Sequence, residues 1–178
     1  MKKYSVMGAV AACLMLAGCG AEGDVKKAFV AEYQKELCMP AAANYPVSLT
    51  VSSPFGVKPD AKIAEVLVKA GVLEKGEETS RGAGAMTITN ASFGLTSKGK
   101  DSYKNGKLCY GETKVKEVVK YEEKDDGNGP YIMASVKLEH DITEGWAEHQ
   151  DLRGLVKSGE EVVTRRLVKK DKEGWVIE

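Results

Sequence analysis

Lys107–Glu123, KLCYGETKVKEVVKYEE, reads as one long strand or a bent pair of strands. DDGNGP, residues 125–130, is the turn that follows it. YIMASVKLEH then alternates Ile132, Ala134, Val136 and Leu138, which predicts a second strand with one apolar face. EVVTRRLVKK, DKEG and WVIE close the chain as a hairpin. These elements predict an antiparallel sheet over residues 113–178. Between them, Asp141 to Lys157 is mixed, with a helix expected around Trp146.

Upstream, the patterning predicts helices. Asp24 can cap a helix running to about Leu37, with Val25, Phe29, Tyr33 and Leu37 on one face and Pro40 ending it. PVSLTV reads as a strand. Asp60 caps a second helix with Ile63, Val66, Leu67 and Ala70 at helical spacing and Gly71 as its C-terminal stop. Glu74 to Gly84 is polar and Gly-bearing, and reads as a loop. AMTIT and SFGLT read as two short strands, Thr96 as the cap of a short helix ending near Tyr103, and Asn105-Gly106 as a turn. The expected fold is therefore α+β: a helix-rich N-terminal half over 25–112 and an antiparallel β half over 113–178.

The N-terminus carries an address. Lys2 and Lys3 precede an apolar run, Val6 to Leu16, that is shorter than the roughly 20 residues a spanning helix needs. This is the pattern of a signal peptide, here residues 1–18. It ends in Leu16-Ala17-Gly18-Cys19, which resembles the lipobox of bacterial lipoproteins. The resemblance implies cleavage before Cys19, a diacylglyceryl thioether on its sulfur and a further acyl chain, such as palmitate, on its amino group. Two or more chains anchor a protein stably. Residues 19–24 would form a polar tether. In enteric-type lipoproteins Asp after the lipidated cysteine signals inner-membrane retention; Gly20 stands here, so the resemblance implies the outer membrane, facing the periplasm.

Charge and cysteine content agree with export. The chain holds 26 basic and 26 acidic residues, so the body exerts no long-range pull on phosphate backbones. Of four cysteines, Cys13 leaves with the leader and Cys19 takes the lipid. Cys38 and Cys109 remain, and in an oxidising compartment two remaining thiols most simply pair. The rival reading is a redox or catalytic thiol, but the chain has no CxxC and no His near either cysteine in sequence.

Residues 60–103, helix, hairpin, LTxxGK and helix, resemble a winged-helix domain. Many such domains read DNA. Here the helix exposes Lys62, Glu65 and Lys69, and the following loop balances Glu74, Glu77 and Glu78 against Lys75 and Arg81. With export, this excludes nucleic acid as a partner and leaves the shape as a scaffold. Residues 114–178 resemble the curved sheet of cystatin-like or nuclear-transport-factor-like domains. The block Leu95, Thr96, Gly99, Lys100, Tyr103, Cys109, Tyr110, Gly111, with Trp146-Ala147 further on, is similar to a group of proteobacterial envelope proteins. That similarity implies no activity, and it supports a structural Cys109.

Candidate chemistry is sparse. DDGNGP resembles part of an EF-hand loop through Asp126, Asn128 and Gly129, but Lys124 and Ser135 fall where carboxylates are required. His140, Asp141, Glu144, Glu148, His149 and Asp151 are metal-ligand types within twelve residues, at no known ligand spacing. Arg81–Ala85, RGAGA, lacks the Lys-Ser/Thr of a phosphate loop. Trp146 and Trp175 fit a core or a pocket rim. The reading is a non-catalytic outer-membrane lipoprotein, without metal or cofactor, that binds an envelope protein or a small ligand. An inhibitor or immunity protein falls within that class. The alternative is an envelope hydrolase with a metal or carboxylate site at His140–Asp151.

Overall fold

The computed structural model describes residues 18–170 and 173–178. The leader up to Ala17 and the side chain of Cys19 lie outside the described residues, and with them the lipobox reading. Three α-helices are described: α1 (Gly18–Tyr33), α2 (Pro59–Lys69) and α3 (Ser97–Ser102). The strands are β1 (Glu36–Pro40), β2 (Val47–Ser52), β3 (Leu73–Arg81), β4 (Ile88–Leu95), β5 (Tyr103–Lys104), β6 (Lys107–Asp125), β7 (Pro130–Ile142), β8 (Gly159–Lys170) and β9 (Gly174–Ile177). One antiparallel sheet runs β1-β6-β7-β8-β9, with β5 also on β6; the other runs β2-β4-β3.

The helix-rich N-terminal half over 25–112 is thereby corrected. Strand makes up about half of the described residues, and β1 to β5 with the start of β6 fall within that stretch. The winged-helix-like unit goes with it. Its short second helix forms as α3, but the expected hairpin is part of a three-stranded sheet, β2-β4-β3, in which the segment read as loop is a full strand. Three local causes can be named. Glu74–Arg81, polar enough to read as loop, is an edge strand exposed along its length, so no apolar alternation marks it. AMTIT and SFGLT are largely one strand, β4, paired on both sides. The first helix stops at Tyr33 rather than Leu37, because Glu36–Pro40 pairs with β6. At the other end its described part runs from Gly18, so residues 20–24, expected as a tether, are helical.

The chain divides into two compact units. The α1 unit comprises the described residues up to Gln34, with 115–138 and 161–178. Its core is the inner face of β7, Ile132, Ala134, Val136 and Leu138, against Val25, Ala28 and Phe29 of α1 and Leu167 of β8. Phe29 and Tyr33 stack at 5.6 Å. The exposed turn ahead of β7 is tied down by Arg166, which binds Asp126 at 2.7 Å and lies 4.1 Å over the Tyr131 ring.

The α2 unit comprises residues 35–114 and 139–160. Its core joins Leu67, Val72, Ala91, Phe93, Leu108 and Tyr110 with Trp146 and Leu152. β1 meets β6 with Leu37 opposite Gly111 and Cys38 opposite Cys109, so Tyr110 is an extra residue on β6. Leu108 and Tyr110 both join this core, and Cys109 between them is buried at the disulfide. The Cys38–Cys109 disulfide crosses this pair with Cα atoms 3.9 Å apart.

Candidate functional site

The sequence-derived candidates do not converge. His140 is buried on β7, and its Nδ1 shares a 3.0 Å hydrogen bond with the equally buried Thr113 hydroxyl. Asp141 accepts from Lys114 at 2.7 Å; Glu112 also binds this lysine, and the two carboxylates raise the ammonium pKa. His149 Nδ1 accepts from the Asp151 backbone in a short 3-10 turn, and Asp151 pairs with Lys69 at 3.5 Å. Glu144 and Glu148 flank Trp146 in the preceding turn. Among the described residues, one group has possible ligand atoms within 4.8 Å of one another: Glu36, Cys38 and Cys109. Both of its sulfurs are consumed by the disulfide, and Glu36 pairs with Lys104, so no thiolate is left for a metal.

The calcium-like loop is a turn. Asp125 and Asp126 accept from the backbones of Gly127 and Asn128, and the second oxygen of Asp126 is held by Arg166. RGAGA closes the β3–β4 connection, and the Gly82 backbone turns tightly against the Met86 carbonyl. Trp146 is core: its indole N–H donates to Ser102 Oγ at 3.0 Å. Trp175 is partly buried on β9 and lines a cleft against α1.

The LTxxGKxxY…CYG block is absorbed by packing within the α2 unit. Thr96 caps α3, accepting from Gly99, and its hydroxyl lies 2.8 Å from the Gly71 carbonyl. A Cβ on Gly99 would collide with the Val72 carbonyl oxygen, and one on Gly111 with that of Asp141. The Tyr103 hydroxyl donates to the carbonyls of Ala42 and Ala43. The Tyr110 hydroxyl accepts from the Lys157 backbone at 2.9 Å.

What the α2 unit does present is an apolar cleft of about 360 Å³. One wall is α2, whose i, i+3, i+4, i+7 face supplies Asp60, Ile63, Ala64 and Leu67. The opposite wall is Val47 and Leu49, alternate residues of β2, and the floor includes Leu73. The rim is Pro40 to Ala42 with Tyr45. This rim is fixed: Tyr103 holds the carbonyls of Ala42 and Ala43, Ala41 donates to the Gly106 carbonyl at 2.9 Å, and the Tyr45 and Tyr103 rings meet edge to face at 5.6 Å. Burial pushes the Tyr45 phenol above its usual pKa, against a backbone hydrogen bond from Ala42 that pulls it down. Asp60 is the one charged group in the lining. Sequence reading missed Tyr45 as a site residue and took Asp60 for a helix cap, whereas the helix starts at Pro59 with Lys58 at the cap position; the apolar face of α2 was the signal that pointed here.

No protein family, curated protein or solved structure matches the chain.

Proposed function

We propose that this chain is an outer-membrane-anchored periplasmic lipoprotein, held by acyl chains on Cys19, with a non-catalytic binding role. Its binding site is the cleft beside α2. The observation that supports this reading is a preformed, apolar hollow of about 360 Å³, a size within the range of small-ligand sites, with a rim already ordered by hydrogen bonds. A fixed rim spares a ligand the entropic cost of ordering the loop. An inhibitor or immunity role would use the same hollow to receive an apolar side chain of an envelope partner.

The hydrolase alternative loses support from geometry: His140, Asp141, His149 and Asp151 each face a different partner. Binding of a neutral naphthylamine fluorophore tests the proposal. One site should titrate, and Ala42→Phe, which fills the rim while leaving the backbone carbonyl for Tyr103, should abolish it without lowering stability. Equal binding to the parent and Ala42→Phe proteins would refute the site.

A further inference from the structure

A second cleft, of about 350 Å³, lies within the α1 unit. Asp24, Lys27, Ala28, Ala31 and Glu32 of α1 form one side, and Glu173 to Ile177 form the other. It differs in chemistry from the first. It holds the Trp175 indole with carboxylates on both sides and a single lysine, so it offers a cation an aromatic face and counter-charges together.

Its orientation follows from the packing. At the C-terminal end of α1, Tyr33 lies 5.8 Å from the Arg165 guanidinium. Two residues beyond Arg165, Leu167 is paired with Ile177, so the Ile177 end of β9 lies toward the end of α1. The Gly174 end, with Glu173, therefore lies toward Asp24 and the start of the helix. There Lys169, exposed and paired with Trp175, shares the face of the indole.

The helix is unbroken from Gly18, so no slack separates Cys19 from this cleft. Asp24 stands five residues on, about 7.5 Å along the axis at 1.5 Å per residue. Val25, Ala28 and Phe29 are buried, which fixes the helix to its sheet. With acyl chains on Cys19, the Asp24–Glu173 end is held at the depth of lipid headgroups.

We infer that this cleft takes the zwitterionic headgroup of a membrane phospholipid. The ammonium sits beside Trp175 between Asp24 and Glu173, and the phosphate lies toward Lys27 and Lys169. The inference rests on the lipid anchor proposed above; the charge pattern selects the headgroup, since a purely anionic lipid would meet the carboxylates unfavourably.

The test uses the full lipidated chain reconstituted in vesicles of phosphatidylcholine, phosphatidylcholine with phosphatidylethanolamine, or phosphatidylglycerol, read by tryptophan emission. A zwitterionic surface should shift the emission, phosphatidylglycerol should not, and Trp175→Phe should remove the shift. Soluble phosphoethanolamine, which needs no anchor, should titrate the same change, weakened on the order of tenfold by Asp24→Asn with Glu173→Gln. Acylation is read separately from the mass of the N-terminal peptide. Silence toward both vesicles and soluble headgroup overturns the inference whatever the state of Cys19. An equal response to phosphatidylglycerol overturns it too, as simple attraction to lysines. A response to the soluble headgroup alone, on an acylated chain, overturns the membrane as its source.

Discussion

Gly99 and Gly111 are in place because two backbone segments pass too close for a side chain. Neither glycine has a left-handed φ, so the requirement is contact with the carbonyls of Val72 and Asp141, not conformation. Gly111→Ala should therefore destabilise by roughly 1–3 kcal/mol, as for other overpacked sites, read by urea unfolding. Thr113→Val is the milder case. It keeps the shape and removes the hydrogen bond to buried His140, and should cost about 1–2 kcal/mol. Arg166 holds the Asp126 carboxyl below the usual carboxylate range. That contact contributes above the ordinary carboxylate pKa and is lost as the pH falls through the lowered value, below about pH 4. Asp126→Asn should flatten the acid limb of the stability profile there; an unchanged limb would remove this pair from the account.

At the scale of elements, the readable parts were those whose burial alternates or whose ends are capped. Ile132 to Leu138 alternates into β7, α2 follows its apolar face, and Thr96 caps α3 as its position implied. β3 was not readable, because a charged edge strand has no buried face to show. β1 was not readable either. Leu37 extends the helical spacing of Phe29 and Tyr33, and only pairing with β6, remote in sequence, converts it to strand. The cleft was partly legible: its helical wall follows from periodicity, while its rim depends on Tyr103, about sixty residues from the loop it holds. The disulfide acts at this scale as well. It closes a separation of 71 residues, for which chain entropy sets a ceiling of roughly 4 kcal/mol. Cys38→Ser with Cys109→Ser should lower stability by about 2–4 kcal/mol, and reductant should then have no further effect on the melt. Glu77→Val with Glu78→Val should turn the β3 edge into an aggregation site, visible by light scattering at unchanged urea midpoint.

For the molecule as a whole, the proposed binding site and the proposed anchor fall in different parts of the chain. The α1 unit carries the N-terminal helix and a charged, indole-bearing cleft; the α2 unit carries the disulfide and an apolar cleft with one carboxylate. Asp60 sets a preference within the second cleft: alkylamines should bind more tightly than alkyl carboxylates of equal length, and Asp60→Asn should erase the difference. The most direct measurement is a methyl NMR titration of the protein with a medium-chain alkylamine. A ligand seated in the cleft should give saturable shifts at Val47, Leu49, Ile63, Leu67 and Leu73, absent in Ala42→Phe. Shifts confined to exposed apolar residues such as Met86 and Val119, or shifts that persist in Ala42→Phe, would contradict this site.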